Sequence, residues 1–594
     1  MSIEEKYKSA KGVAFIPDVL LGVESLLLGA SAAADTAGAG TGAGNSTDAN
    51  NAEQDVDIED TNAVINDNSS QINFDVDNDD DSNEDGNGDP DSSNGTGFDN
   101  DLLGNNGVTS DVNGANDVYS LLGLLALTIF VGLGNNNFNM FGYRSNWCDE
   151  PIPAGDDIAT LLAFYLSRMG GSVIAVIPYF MFDSSYVLPV TAIGVSAAYL
   201  GMSAVNSPNQ ILPLAALQGA GEGAAMTGIA STIGMNYQGE DVILRSAAMQ
   251  GLLGVSSAVS GWFHDISRWI DSLSERDGWR WLFTILGGIG TVTGALTLIF
   301  MSGYAQKAIF LLEKGINYVK YRQDQHNGPC EMNKVSAFAF KSIFQDPKVY
   351  ILTLSYGISR FSANCITRYT AIVSPYMLET AGRIIPAFIT ALVGISTVLT
   401  FFPILFALIV SIIVSKMTVR MGFLSPFLLI AIAMGIIGWG FIIYANSFLQ
   451  YALGEISAPS LAESESILYA MIILVNASNL VSMSLILAWA LKNCSGKLKI
   501  LIVAAVVIIF DTFMTLIAKM LLSSMSSSSA GMHRITLLVL CLCILSLILV
   551  SFQAILFIRE NRNREKGRRD YRYLYPYVNR TNMGDFFPSY RYTN

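Results

Sequence analysis

From Tyr119 onward the chain is a succession of apolar stretches divided by short polar joints, each long enough to cross the roughly 30 Å hydrocarbon core of a bilayer. They fall near 119–139, 158–182, 187–206, 211–234, 245–264, 281–302, 349–374, 387–414, 424–445, 467–491, 499–522 and 534–558. A backbone in lipid must satisfy its own hydrogen bonds, so stretches of this length predict helices. The expected fold is therefore an all-α polytopic membrane protein of twelve transmembrane helices in two six-helix halves, at 118–303 and 349–558. A central loop at 304–348 joins the halves, and a basic, Tyr-rich tail at 559–594 follows them. Within the loop, Leu312, Ile316 and Val319 share a helical face beside Lys314, Lys320 and Arg322, which suits a helix lying on the inner membrane surface.

The first 117 residues follow no such pattern. From Ala33 to Asp117 they are Asp, Asn, Gly and Ser with few aromatics, a composition that cannot bury enough apolar area to offset its ordering entropy, so an acidic, disordered N-terminal tail is expected. Asp81 to Gly86 matches the first half of a calcium-binding loop, but Ser92 stands where a bidentate Glu is needed, and the stretch reads as an acidic run rather than a metal site. Residues 13–34 resemble a signal peptide interrupted by Asp18 and Glu24. A cleaved signal would export the tail with its sequons at Asn45, Asn68 and Asn94.

Composition agrees with the apolar pattern. Of 594 residues 51% are hydrophobic and 14% charged, against about 25% charged in an ordinary soluble protein. The net charge of −15 belongs to the tail: there is no Lys or Arg between Lys11 and Arg144, and without the tail the body carries roughly +7. This excludes a soluble enzyme and a nucleic-acid binder, and six scattered Cys form no disulfide framework. Basic residues gather in the sixth-to-seventh connection (Lys307, Lys314, Lys320, Arg322, Lys334, Lys341, Lys348), at Lys416 and Arg420, at Lys492, Lys497 and Lys499, and after Arg559. Intervening loops carry Asp149, Glu150, Glu455, Glu463 and Glu465. The positive-inside bias then puts both termini and the central loop in the cytosol, with the plasma membrane the expected home.

Six spans, a long loop and six spans is the layout of a major facilitator transporter. Short motifs narrow the resemblance. Gly278-Trp-Arg-Trp-Leu-Phe283 looks like the GWRWLF element of the fungal anion:cation symporter family, the allantoate and nicotinate permease type. Gln345-Asp-Pro-Lys-Val-Tyr350 is similar to its DPKVY entry to the seventh span, with Pro375 near that span's end. Tyr237, Asp241 and Arg245 have the spacing of its WY-x4-E/D-x3-R loop, Leu487 to Asn493 resembles its LAW-xx-N segment, and Glu560 to Asp570 resembles its basic tail. Departures mark a divergent member. Of the family's Asp-Arg-x-Asn run only Asn137 survives and Gly134 replaces the acid; Ala215, Leu286 and Val419 replace a fourth-span Arg, a sixth-span acid and the Asp of the gating motif that ends in Arg420 and Gly422.

Charge inside a bilayer is costly, by about 2.5–3.5 kcal/mol per residue on insertion scales, so each intramembrane charge is a site candidate. Arg360, Asn364 and Arg368 recur every four residues on one face of the seventh span, about 12 Å end to end at 1.5 Å per residue. They are the candidate substrate-binding set, able to grip a carboxylate bidentately, and the resemblance adds Asn137. Snorkelling toward the outer surface, or a structural pairing of these arginines with Asp511, is the alternative. Glu222, in the small-residue run Gln218 to Ala225, is the first candidate for proton coupling, and Asp511 the second or a counter-ion to Lys519. Arg168 reads as a packing or interfacial charge, and Tyr356 and Trp489 as core. Trp279, Arg280, Asp346, Arg420 and Gly422 carry the structural and gating motifs that the resemblance implies.

No catalytic constellation is present: His264, His326 and His533 lie far apart, and no HExxH, GxSxG or phosphate loop occurs. No enzyme, cofactor or metal is expected. The resemblance implies a monomeric secondary active transporter that symports a small organic anion with protons by alternating access, the anion being a carboxylate such as allantoate, nicotinate or a related vitamin or nitrogen source. A non-transporting nutrient sensor or scaffold that signals through the acidic tail is the second reading. The tail after Arg569 is expected to be an unstructured end.

Overall fold

A computed structural model describes residues 121–134, 154–206, 210–237, 241–271, 278–300, 343–373, 395–445, 464–525, 528–574, 584–586, 588 and 590–593. The acidic N-terminal segment, Asn137, and the amphipathic stretch at 312–322 lie outside them. The helices, in chain order, are α1 (Leu121–Gly134), α2 (Ala154–Met181), α3 (Ser184–Ser203), α4 (Ile211–Asn236), α5 (Asp241–Asp271) and α6 (Gly278–Phe300). They continue with α7 (Pro347–Val373), α8 (Ile395–Met421), α9 (Ser425–Tyr444), α10 (Ser464–Lys492), α11 (Lys497–Met525) and α12 (Ser529–Glu565). Each apolar stretch in the sequence coincides with one of these helices. Ends move by seven residues at α5, which runs to Asp271 rather than 264, at α8, which runs to Met421 rather than 414, and at α12, which continues past 558 to Glu565.

Among the described residues nine helices are long and apolar enough to cross a membrane: α2, α3, α5, α6 and α8 to α12. The bundle is inverted relative to a soluble protein. Large apolar side chains point outward in stripes, such as Ile409, Ile413 and Met417 on α8, while Arg168, Gln218, Glu222 and Asp511 lie in the interior. An apolar exterior of this extent needs lipid to cover it. Many buried hydroxyls are satisfied within their own helices: Thr128, Ser172, Thr353 and Thr512 each donate to the carbonyl four residues earlier. Full-length α4 and α7 fall short of membrane hydropathy because they carry the polar residues of the interior, and α4 is surrounded by protein along much of its length.

Helix neighbours repeat with a shift of six. The pairs α2·α4, α3·α4 and α3·α6 recur as α8·α10, α9·α10 and α9·α12. Two further contacts, α2·α11 and α5·α8, exchange under the same shift. The tightest is α2 on α4, and glycine makes it possible. A Cβ at Gly219 would lie 2.2 Å from the Phe164 carbonyl oxygen, and one at Gly223 2.1 Å from that of Arg168. Gly219-x-x-x-Gly223 is thus a small-xxx-small face pressed on the backbone of α2, and it brings Glu222 beside Arg168.

Candidate functional site

Close α2–α4 packing buries Glu222 completely, and two polar side chains bond it. Tyr199 of α3 donates its hydroxyl to Oε1 at 2.7 Å, and Gln218 donates Nε2 to the same oxygen at 2.9 Å and to the Tyr199 hydroxyl at 2.8 Å. Oε2 has no partner. At Gly134, where the resembled family carries an acid, an added Cβ would lie 1.7 Å from the Tyr199 hydroxyl and 2.8 Å from Glu222 Oε1. Glu222 and Tyr199 therefore occupy the space that a side chain at Gly134 of α1 would need.

A second carboxylate, Asp511 of α11, faces two guanidiniums. Arg168 Nη2 of α2 lies 3.5 Å from its Oδ2, and Arg360 Nε of α7 lies 3.2 Å from its Oδ1. Arg168 is buried, yet its Nε and Nη1 donate to nothing. The Arg360 contact has ion-pair distance without hydrogen-bond geometry at Nε. A cavity of about 10 Å³, room for a single water, lies between these groups, lined by Arg168, Arg360, Asp511 and Tyr356 together with Gly132 and Met226. Tyr356 is held by Gln250 Nε2 of α5 at 2.9 Å. Asn364 donates to the Arg360 carbonyl at 3.0 Å and to Thr515 Oγ1 at 3.3 Å, so it ties α7 to α11. Lys519 lies within Coulombic reach of Arg360 and Arg368.

These contacts decide between alternatives left open by the sequence. Asp511 pairs with Arg360, as the structural alternative has it, and with Arg168, but not with Arg368 or Lys519, because α2 and α7 reach its level of α11 while Lys519 lies two turns further along the helix. Arg168 is a packing charge between α2 and α11 and not an interfacial one, being 2% exposed. Arg168 was legible only as an ionisable residue in an apolar run, and its partner on a helix more than three hundred residues away had no local signal.

The motif residues sit elsewhere. Arg280 donates to the Ser203 carbonyl at 3.3 Å and stacks on Trp279, joining the start of α6 to the end of α3. Arg420 is exposed at the end of α8, and Gly422 closes that helix at φ 71°, a left-handed conformation that suits glycine. Tyr237, Asp241 and Arg245 form one cap at the start of α5, with Arg245 3.0 Å from Asp241 and 4.0 Å above the Tyr237 ring.

Asp346 belongs to a second ionic cluster, at the end of the bundle where the basic loops converge. Lys499 lies 2.7 Å from Asp346 and 2.9 Å from Asp585, and Lys348 contacts both acids as well. Asp585 comes from the C-terminal tail, which is not an unstructured end. Arg564 donates to the carbonyls of Tyr590 and Asp585 at 2.7 and 3.1 Å. Tyr592 stacks on Phe557 at 4.8 Å. Trp489 and Asn493, both in the Leu487 to Asn493 segment, donate to the Thr593 carbonyl at 2.9 and 3.3 Å. Burial works against the Asp585 charge, but Lys348 and Lys499 outweigh it and hold the carboxyl at about 2.

The Major Facilitator Superfamily model matches residues 182–499, more than half of the chain. The chain belongs to that superfamily and is a multi-pass membrane protein. It is also 32% identical over 139 residues to an uncharacterized transporter of Schizosaccharomyces pombe (strain 972 / ATCC 24843), a stretch that is 21% of this chain and 28% of that relative.

Proposed function

We propose that the protein is a secondary active transporter that symports a small organic anion with protons by alternating access. The observation that carries this reading is the excess of cation in the interior: Arg168 and Arg360 share the single carboxylate of Asp511 and keep unmade donors beside a cavity. A carboxylate substrate would complete those donors bidentately, and Arg368 and Lys519 extend the positive field along the path. Glu222, with one free oxygen in a dry site, is the proton carrier in this reading, and Asp511 is the ion that a substrate displaces from Arg360.

Two six-helix halves, α1 to α6 and α7 to α12, are the moving bodies, a division supported by the neighbour pairs that repeat with a shift of six. The basic end that gathers Lys348, Lys497, Lys499 and Arg564 is cytosolic in this reading, as are both termini, in a plasma-membrane monomer. The sensor alternative draws on three departures, at Gly134, Ala215 and Leu286, and the occupation of the space beside Gly134 by Glu222 and Tyr199 bears on the first of them. Uptake by proteoliposomes of a carboxylate panel, allantoate and nicotinate included, should follow an inward proton gradient and collapse when a protonophore is added. Saturable binding with no flux under any gradient would favour the sensor.

A further inference from the structure

Helices α7 and α11 run side by side in the same sense, for Lys348 at the start of one and Lys499 at the start of the other share Asp346 and Asp585. From there polar residues climb both helices in steps of four: Arg360, Asn364 and Arg368 on α7, and Asp511, Thr515 and Lys519 on α11. They meet in rungs. Arg360 pairs with Asp511 at 3.2 Å, and Asn364 donates to Thr515 Oγ1 at 3.3 Å across a separation of 151 residues. The same separation sets Arg368 opposite Lys519, and these two lie within Coulombic reach of each other. We propose that this third rung is an anion subsite, which takes the carboxylate of the substrate before it reaches Arg360. That the anion travels onward rests on the transport reading above; that it binds does not.

The first rung sets an acid against a base and the second a donor against an acceptor, so each closes on itself. The third sets a cation against a cation. Among the described residues the charges that reach Lys519 are those of Arg360 and Arg368, both positive. Tyr369 and Val373 of α7 and Ala518 and Leu522 of α11 belong to the apolar cluster at this level, a medium that does little to screen like charges. An anion lodged there turns one repulsion into two attractions. A carboxylate suits the place, because a guanidinium fork and an ammonium together can bond both of its oxygens. Access also differs between the rungs: Asp511 is 2% exposed, whereas Arg368 and Lys519 are half-buried. The third rung lies about 12 Å further from the basic end than the first, eight residues at 1.5 Å each. An anion held there is two helical turns from Arg360, with the uncharged pair of Asn364 and Thr515 between.

The test removes one cation. In the full chain purified in detergent, sodium acetate should raise the melting temperature saturably, and by more than sodium chloride at the same ionic strength. Lys519→Met deletes the charge and keeps an unbranched side chain. It should melt above the parent in acetate-free buffer, because a buried repulsion is gone, and should lose most of the acetate increment. Lys519→Gln should behave alike, and Lys519→Arg should keep the increment. In proteoliposomes Lys519→Met should raise KM for whichever carboxylate is taken up by about tenfold, the scale of one charge-assisted hydrogen bond, and by more than it lowers kcat. An acetate increment unchanged in Lys519→Met overturns the subsite, as does equal stabilisation of the parent by chloride. So does melting of both neutral variants below the parent, or their failure to fold, which would mark Lys519 as a satisfied structural cation. Uptake with an unaltered KM would overturn passage through the third rung and leave the transport reading intact. If the melting pattern is as expected but no carboxylate is taken up, the transport reading fails and the subsite stands.

Discussion

The protein buries two clusters of ions, and they are built to opposite rules. At the basic end, two acids (Asp346, Asp585) meet two lysines (Lys348, Lys499), and each lysine nitrogen touches both acids. In the interior, two guanidiniums share one aspartate, Arg168 leaves two donors unused, and Glu222 leaves one oxygen unused. A satisfied buried cluster has one low-energy arrangement and acts as a fastener. An unsatisfied one has several arrangements of similar energy and can be shifted by a ligand or a proton. In the transport reading, the difference separates what holds this molecule together from what it works with.

The largest effect expected is at Arg360. Removing one member of a buried pair costs about 3–5 kcal/mol, so Arg360→Gln should lower carboxylate uptake by at least about a hundredfold while the tail stays protected from limited proteolysis. Unchanged uptake would put the site elsewhere. Next is Gly134→Asp, which restores an acid to α1. The Cβ alone would overlap the Tyr199 hydroxyl, and the new carboxylate would lie against Glu222. A loss of several kcal/mol in thermal stability and of uptake together is expected, on the scale of overpacking plus an unpaired buried charge. A stable, active Gly134→Asp protein would show that Tyr199 and Glu222 do not fill the space beside Gly134.

The helices were legible because a lipid-covered helix must be apolar along its whole lipid face, a signal that survives without knowledge of neighbours. Their ends were less so: α8 slides past its expected boundary because Ser415 to Met421 continues a helix with polar residues beyond the apolar run. Arg360, Glu222 and Asp511 stood out one by one because charge is rare there. The partnerships did not. Arg168 with Asp511, or Asp585 with Lys348 and Lys499, join residues far apart in sequence, and their pairing depends on helix neighbours that no local period encodes. Asp585 in particular lies in a short apolar run, Met583 to Pro588, outside any span, and nothing local to that run points to Lys348 or Lys499. Trp489 and Asn493 were visible as a motif, but their partner Thr593 gave no hint of it.

The fastener can be tested by charge. Asp585→Asn leaves Lys348 and Lys499 sharing Asp346, and should cost about 3 kcal/mol of stability, read as a lower melting temperature in detergent and as new proteolysis after Arg569. Uptake per folded molecule should hold. In pH the two clusters should part. The Asp585 carboxyl is held at about 2, below its ordinary value, so its contribution to stability is full above about pH 4 and fades only as pH falls toward 2. The tail should therefore stay docked across the range in which proton-driven uptake rises and falls. Release of the tail in step with uptake would merge the clusters into one device.

The smallest change sharpens the comparison furthest. Trp489→Phe keeps the ring against Phe557, 5.4 Å away edge to face, but removes the Nε1 donor to the Thr593 carbonyl. That carbonyl still accepts from Asn493 at 3.3 Å, and the backbone N–H of Thr593 still reaches Asn493 Oδ1 at 2.8 Å. One hydrogen bond with a surviving alternative is worth about 1 kcal/mol, so the tail should stay docked, with faster amide exchange confined to residues after Tyr590. A fastener tolerates such a loss because its other bonds do not depend on it. An equally small edit in the interior, Tyr199→Phe, removes one of the two bonds that leave Oε2 as the place for the proton on Glu222. It should barely change melting yet move the pH midpoint of uptake. Equal consequences for the two edits would mean that satisfaction of partners does not distinguish fastener from machinery.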